Sequence, residues 1–163
     1  MASLELVKSS SATSVTEIEV TNVFDTTYNK YLILGTGHVS STNSVFDMQF
    51  LNSGGTAITS GYRYGSRNQE AASQSEIEST SDSKIERIVY VNNGDTFFFK
   101  LMVYNPAATQ YTLVSYHSQA FNSASITNIR GGGSLDNAAA HSGFKILDAT
   151  FTDINIETYG VKD

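Results

Sequence analysis

Apolar and polar residues alternate with a period of two along much of the chain. Near the end, Ile154 and Ile156 fall on one face of an extended segment, and Asn155 and Glu157 fall on the other. Residues 46–50 alternate in the same way. This period is the pattern of a half-buried β-strand, whereas amphipathic helices repeat their apolar residues every three to four positions. The chain is therefore predicted to be all-β.

Turn signals divide this pattern into about nine short strands. They are predicted over residues 4–7, 15–20, 31–34, 46–50, 57–64, 85–91, 96–104, 111–117 and 125–130, with 144–147 leading into a last strand at 153–162. Residues 8–11 are predicted as a polar turn, and Gly35, Gly37 and Gly131–Gly133 as strand ends. Residues 52–55 and 92–95 are predicted as hairpin turns, since Asn-Gly and Gly-Gly suit tight turns.

Two stretches lack the strand pattern. Residues 69–84 are polar and contain no aromatic residue, so an exposed loop or insertion is predicted, with a short helix as an alternative. Residues 136–141 are rich in Ala and can hold one helical turn. Many short strands separated by turns favour a single domain, residues 1–163, with a two-sheet antiparallel β-sandwich resembling a jelly roll.

The period of two also predicts the hydrophobic core, because the apolar face of each strand should point inward. The predicted core residues are Leu32, Leu34, Phe46, Met48, Phe50, Phe97, Phe99, Leu101, Val114, Phe144, Ile146, Ile154 and Ile156.

Composition limits the possible partners. The net charge is −6, from 10 basic and 16 acidic residues, which argues against nucleic acid as a partner. No apolar run approaches the roughly 20 residues of a spanning helix, so no membrane insertion is expected. The N-terminus has no basic region followed by an apolar segment, so no signal peptide is predicted. The absence of Cys excludes disulfides and thiolate metal sites.

Catalytic signatures are not visible in the sequence. His38, His117 and His141 are isolated and lack zinc-site spacing; His117 is the best functional candidate, since aromatic and hydroxyl residues surround it. No Gly-x-Ser-x-Gly motif is present. Asp47, Glu86, Asp148, Asp153 and Glu157 could supply a glycosidase carboxylate pair, but any acidic protein offers such residues. We therefore expect a non-enzymatic protein without catalytic residues, cofactor or metal ion.

One cluster stands out as a possible contact surface. Tyr62, Arg63, Tyr64 and Arg67 lie close together just before the polar stretch. Arg and Tyr are enriched at protein–protein hot spots, so these residues are predicted to contact a partner. The alternative is an ordinary strand end with solvated arginines.

Several segments resemble small β-sandwich structural proteins of tailed phages of the marine or cyanobacterial type. The segments are residues 4–9 and 28–31, residues 46–50 before a Gly-Gly turn, residues 104–106 after a strand, and residues 131–133 continuing through 143–146 to 159–162. Together these segments span nearly the whole chain. One departure from the family pattern follows Phe151, where Thr152-Asp153 stands in place of a turn of the Ser-Gly-Asn type. The resemblance implies a virion component and transfers no enzymatic residues.

Three functions follow as hypotheses. The first is a capsid decoration or cement protein that binds phage capsid or other virion proteins outside the head. The second is a tail-fibre or receptor-binding module that recognises host surface glycans, and the third is a carbohydrate-active enzyme. The first is preferred because strands begin by Leu4 and end by Val161, which leaves no shaft or anchoring segment. Fold-level analogy with icosahedral shells favours a homotrimer.

Overall fold

Twelve β-strands run through the part of the chain that the computed structural model describes, residues 3–40, 44–70, 73–91, 94–122 and 125–162. In chain order they are β1 (Ser3–Val15), β2 (Ile18–Val20), β3 (Lys30–Val39), β4 (Ser44–Asn52), β5 (Tyr62–Glu70), β6 (Ser73–Asp82), β7 (Ile85–Val91), β8 (Thr96–Tyr104), β9 (Thr112–Asn122), β10 (Ser125–Leu135), β11 (His141–Leu147) and β12 (Phe151–Lys162). These described ranges contain no helix.

The strands form two antiparallel sheets. The large sheet has eight strands in the order β1-β12-β3-β8-β9-β10-β5-β6, and the small sheet has four in the order β2-β11-β4-β7. The first four strands of the large sheet and the four of the small sheet interleave along the chain, which is the connectivity of an eight-stranded jelly roll. The hairpins β9–β10 and β5–β6 then widen the large sheet beyond β8. The predicted all-β, jelly-roll-like sandwich is confirmed.

The core lies between the two sheets and is centred on aromatic rings. Phe46 of the small sheet meets Phe97 and Phe151 of the large sheet edge-to-face, with ring centroids 4.6 and 4.9 Å apart. Such edge-to-face pairs add about 1 kcal/mol each beyond the burial of their area. The buried residues form one hydrophobic cluster, which includes every predicted core residue except Leu32 and Leu34.

The prediction that Leu32 and Leu34 lie in the core was wrong, because the inward-facing residues of β3 are each one position earlier. Tyr31 and Ile33 are fully buried, while Leu32 and Leu34 are only half-buried on the outer face. A continuous apolar run does not reveal which alternate residues face inward, and a one-residue shift exchanges the two faces. Tyr31 tolerates burial because its hydroxyl accepts a hydrogen bond from the backbone N–H of Asp25 at 2.9 Å.

The glycines predicted to end strands lie inside them. Gly35 is paired within β3, and the Phe99 ring lies against it so closely that a Cβ atom would overlap the ring. Gly131 has the same relation to Tyr116 in the middle of β10. Glycine in a strand often marks close approach of another group. Here it admits aromatic rings to the core, and both strands continue beyond it.

Residues 69–84 form neither a loop nor a helix where the structure describes them. β6 (Ser73–Asp82) pairs with β5 as the edge strand of the large sheet, while Ala71 and Ala72 lie outside the described residues. Most β6 side chains are exposed. The sequence shows no apolar alternation because this edge strand extends past the small sheet and buries little of either face.

Of the two predicted hairpins, the one at 92–95 was wrong, and the one at 52–55 was right for its turn but not for the length of its returning arm. Residues 85–91 belong to the small sheet and residues 96–104 to the large sheet, so the chain crosses between sheets there. Asn92 and Asn93 lie outside the described residues. After the turn at 52–55, residues 56–58 pair back to β4, since Ala57 bridges to Leu51 and the N–H of Ile58 donates to the carbonyl of Phe50 at 2.9 Å. Residues 62–70 then join the large sheet. Tight-turn residues fix a local reversal, but they do not fix which sheet the next strand joins.

Two further local predictions, the turn at 8–11 and the helical turn at 136–141, were also wrong. Residues 8–11 are strand residues of β1 paired with β12, with one irregularity between Leu6 and Lys8. Residues 136–140 contain no helical turn and lead directly into β11.

Candidate functional site

The outer face of the large sheet presents side chains in rows that run across the strands. In β8, Phe97, Phe99 and Leu101 point into the core, so Phe98 and Lys100 point outward. The same alternation operates in β9, β10 and β5. Because paired residues on neighbouring strands lie side by side, the register decides which outward residues meet.

One such row carries four basic side chains. Lys100 of β8 pairs with His117 of β9, His117 pairs with Arg130 of β10, and Arg130 pairs with Arg67 of β5. We call these four residues the cationic row. Neighbouring strands are about 4.8 Å apart, so the row spans three strand spacings, roughly 14 Å.

The cations of this row differ in their partners. Arg67 contacts the Glu76 carboxylate of β6, with its Nη2 atom 2.8 Å from Oε1. Lys100 and Arg130 have no carboxylate within 4.0 Å among the described residues. Burial, together with the charges of Arg130 and Lys100, lowers the pKa of His117. The centre of the row is therefore a positive site without a counter-ion from the described chain.

A second row, two residues further along the strands, is made largely of amides. Phe98, Gln119, Asn128 and Gln69 follow one another in register. We call Gln119, Asn128 and Gln69 the amide row. The Gln119 Nε2 atom donates a hydrogen bond of 2.9 Å to Asn128 Oδ1, which orients both groups. The spacing along a strand places this row about 7 Å from the cationic row.

Two shallow depressions lie beside the arginines. One, of about 350 Å³, is lined by Arg67, Gln69, Asn128 and Arg130, so it joins the cationic and amide rows. The other, of about 440 Å³, is lined by Arg67, Arg130 and Gly65 and by the edge strand at 76–78. These volumes are in the lower part of the range for small-ligand sites.

Exposed apolar side chains occupy the two ends of the same face. At one end the register aligns Leu6, Tyr159, Leu32 and Met102, which we call the apolar stripe. Leu6 is 53% exposed, whereas Leu32 and Met102 are half-buried.

The opposite end of the face carries a second apolar group. Phe98, Phe121 and Ile126 line a largely apolar depression of about 320 Å³, which we call the distal patch. Phe121 and Ile126 are cross-strand partners and are 54% and 55% exposed.

The predicted cluster Tyr62, Arg63, Tyr64 and Arg67 is not one surface. Tyr62 and Tyr64 point into the core and are 0% and 8% exposed, so they are withdrawn as contact residues. The Tyr62 hydroxyl accepts from the N–H of Phe50 at 2.7 Å and donates to a backbone carbonyl of the 52–61 connection at 3.1 Å. Arg63 and Arg67 point outward, and the alternation of the strand is the reason for the split.

Arg63 and Arg67 have ion-pair partners although both are exposed. Arg63 Nε lies 2.6 Å from Asp136 Oδ2, and 61% of its side chain is accessible. Arg67 is 62% accessible and pairs with Glu76. For these two residues, contact with a partner stays a prediction.

The three histidines occupy unrelated places. His38 lies at the end of β3, with Nδ1 2.9 Å from Asp153 Oδ2. His141 is 2% exposed and stacks on Phe50 at 5.2 Å, and burial lowers its pKa to about 4. Its two ring nitrogens have no hydrogen-bond partner among the described residues. Only His117 lies on the candidate site.

Two of the candidate carboxylates meet in an ion-pair network on the small sheet. Lys84 Nζ lies 2.8 Å from Asp47 Oδ2 and 2.6 Å from Asp148 Oδ2. Burial raises the pKa of Asp47 to about 6, although Lys84 and the backbone N–H of Arg87 favour its charged form. Hydrogen bonds to Asp148 and Asp47 raise the pKa of Lys84 against the opposing effect of burial.

The other acids considered for catalysis are apart from this network. Asp153 pairs with His38, and Glu157 accepts a hydrogen bond from the Tyr159 hydroxyl at 2.7 Å. The described residues contain no group of three or more His, Cys, Asp or Glu arranged to hold a metal ion. Within the same ranges, no helix is sufficiently long and apolar to cross a membrane.

Sequence reasoning found Arg67 and His117 separately but missed the row. Its members lie at positions 67, 100, 117 and 130, and side chains that are neighbours in the row are 13 to 63 positions apart in the chain. Alternation within β8 identifies Lys100 as outward, but the neighbours of Lys100 depend on the order of β8, β9, β10 and β5. That order is a property of the tertiary fold.

Comparisons with known proteins do not assign the chain to a family. No family model matches the chain, and no curated protein matches it. Solved structures similar to it include a marine alginate lyase of family PL-14 from Aplysia kurodai, with TM-score 0.38 and 8% identity, covering 86% of this chain and 72% of that chain.

Two further structures span both chains almost fully. The galectin LEC-6 of Caenorhabditis elegans has TM-score 0.38 and 10% identity, covering 98% of this chain and 96% of that chain. The SPBc2 prophage-derived protein YomS has TM-score 0.34 and 10% identity, covering 99% and 94%. Structural similarity this low does not indicate what the protein does. The fold is assigned from the two sheets described above.

Proposed function

We propose that the protein is a non-enzymatic virion structural protein that decorates the outside of a phage head. The virion location rests on the sequence resemblance described above. The observation that supports a contact role is the position of the exposed apolar residues. All large apolar side chains that are exposed in the described structure lie on the large sheet or directly beside it: Leu4, Leu6, Phe98, Tyr111, Leu113, Phe121 and Ile126.

An exposed apolar surface of this kind usually marks a site of interaction. The apolar stripe is our candidate for the contact with the shell, because it continues from Leu6 across β12 and β3 to Met102. Many copies bound to one shell supply avidity that a single small interface lacks. A homotrimer is the oligomer we propose, and light scattering of the purified protein measures it directly.

Recognition of host surface glycans by a tail-fibre or receptor-binding module is the second candidate. The cationic and amide rows favour it, because they provide cations and amide hydrogen-bonding groups on an accessible face. The two candidates differ in where the protein sits on the particle.

Electron cryomicroscopy of the phage that encodes the protein tests the proposal. We expect density for many copies over the head. Density confined to the tail would contradict decoration and favour the second candidate, and absence from purified virions would contradict both.

A substitution then tests the contact surface. Leu6→Asp should reduce the occupancy on heads lacking the protein by about tenfold, as expected for an interface hot spot. Ile126→Asp is the matched control, since the two side chains are 53% and 55% exposed and lie at opposite ends of the sheet. Equal losses for both variants would exclude the apolar stripe as the contact.

A further inference from the structure

We propose that the cationic and amide rows together bind an acidic polysaccharide, one whose sugar rings carry carboxylate or sulfate groups. This inference does not depend on attachment to a virion. It starts from the isolation of Lys100 and Arg130, which have no carboxylate within 4.0 Å among the described residues although acidic residues outnumber basic ones 16 to 10.

The positive charge of the site indicates that the ligand carries anionic groups. Lys100 and Arg130 flank His117 in register, so the positive potentials of these two cations add above the His117 ring, where an anion would lie. The lowered pKa of His117 leaves its imidazole as a neutral hydrogen-bonding group between them. Arg130 can bind a planar carboxylate or a sulfate through two N–H groups, while Lys100 acts as a compact point charge. Glu76 neutralises part of the charge of Arg67, which leaves the strongest positive site between Lys100 and Arg130.

The amide row indicates that the ligand also carries hydroxyl groups. Gln119 and Asn128 hold each other through a 2.9 Å hydrogen bond, so their remaining polar atoms have fixed directions. An amide both donates and accepts hydrogen bonds, as sugar hydroxyls do. Since the rows are about 7 Å apart, one ligand can reach both only if anionic groups and hydroxyls are close together in it.

The shape of the site agrees with a sugar chain lying on the sheet. The depression of about 350 Å³ between Arg67, Gln69, Asn128 and Arg130 is open and shallow, and it is bounded by both rows. The adjoining depression is also lined by Glu76 and Glu78, so an acidic chain is expected to stay on the side of Gln69 and Asn128. The net charge of −6 repels any polyanion at long range, so the attraction has to come from the local positive site between Lys100 and Arg130.

Binding of defined polymers to the purified protein tests the proposal, with isothermal calorimetry as the measurement. The probes are polygalacturonate, dextran sulfate, neutral dextran and polyglutamate. We expect binding to polygalacturonate, to dextran sulfate or to both, which also separates carboxylate from sulfate as the anionic group. We expect no binding to dextran, weaker binding to polyglutamate, and loss of affinity as salt rises above about 0.15 M.

Three substitutions assign the binding to this site. Arg130→Ala should reduce the affinity for the acidic polysaccharide by about tenfold, the effect of one charge-assisted hydrogen bond. Asn128→Ala should weaken binding to the polysaccharide but not the residual binding to polyglutamate. Arg63→Ala is the control for the loss of one arginine, since Arg63 is exposed on the same face but lies four residues along β5 from Arg67, the strand partner of Arg130.

Three results would overturn the proposal. They are no binding to either acidic polysaccharide, equal affinity for polyglutamate, and an Arg130→Ala affinity indistinguishable from that of Arg63→Ala. Urea midpoints equal to that of the unmodified protein show that each variant is folded. Failure here leaves head decoration standing, because that function is measured on the particle.

Discussion

The outer faces of the two sheets use their charged residues differently. On the small sheet, Lys84 is held between Asp47 and Asp148, and Lys145 lies 3.2 Å from Glu17. These lysine side chains are only 24% and 15% exposed. On the large sheet, the exposed Lys100 and Arg130 have no carboxylate within 4.0 Å in the described chain.

This difference separates structural charges from charges available to a ligand. An ion pair that is largely buried is costly to break, because the remaining charge is left in a poor solvent. A cation in water contributes little to stability and stays free to meet an anion. The small sheet therefore holds its lysines in ion pairs, whereas Lys100 and Arg130 on the large sheet stay accessible to solvent.

Removal of Lys84 should have the largest effect on stability. We expect Lys84→Ala to lower the free energy of unfolding by about 3 to 4 kcal/mol at pH 7, because Asp47 would lose its buried counter-ion. Lys100→Ala on the other face should change it by less than about 0.5 kcal/mol. Urea unfolding measures both, and equal effects would remove the distinction between the two faces.

His141 should make the free energy of unfolding depend measurably on pH. Burial lowers its pKa to about 4 in the folded state, so the unfolded chain binds the proton first as pH falls. Stability is then lost from about pH 6.5 down to about pH 4, by about 3 kcal/mol in total. His141→Leu should abolish this loss.

Protonation of Asp47 should change the stability in the opposite direction to protonation of His141, and in the same pH range. Its pKa of about 6 lies above the ordinary value, so its protonation stabilises the folded state as pH falls below about 6. The useful measurement is therefore the difference between His141→Leu and the unmodified protein at pH 7 and at pH 4. If that difference does not change with pH, His141 is not held neutral in the core.

Tyr62 should affect stability more than Tyr64, although both were grouped with the arginines in the sequence. Tyr62→Phe leaves the buried N–H of Phe50 without its hydrogen-bond acceptor, and we expect a loss of about 2 kcal/mol. The Tyr64 hydroxyl is hydrogen-bonded to the carboxylates of Asp82, at 3.3 Å, and Glu86, so Tyr64→Phe leaves no buried backbone group without a partner and should cost only about 1 kcal/mol. Thermal unfolding compares the pair, and the reverse order would contradict the packing described for Tyr62.

Arg67 should have the smallest effect on the fold. Its ion pair with Glu76 is well exposed on both sides, and such pairs contribute about 0.5 kcal/mol or less. Arg67→Ala and Arg63→Ala should therefore unfold within about 0.5 kcal/mol of the unmodified protein in urea. A larger loss would show that β6 depends on this pair to stay on the sheet edge.

The sequence by itself determined the sandwich and most of its core. Alternation identified Phe46, Met48 and Phe50 as inward, because side chains of a strand point to opposite faces in turn. It failed where that signal is missing. The run 31–34 is apolar on both faces, so the sequence could not show which of its residues face inward. The edge strand β6 is polar on both faces, so the sequence could not show that it is a strand.

Only the tertiary structure decided the candidate site. Tyr62 and Arg63 are neighbours in the chain but point to opposite sides of the sheet, whereas Lys100 and Arg130 are 30 positions apart and lie in one row. Alternation along a strand is a local property, which the sequence displays wherever one face of the strand is apolar and the other is polar. The order of strands in a sheet depends on which surfaces bury each other, and that is settled only when the whole chain packs.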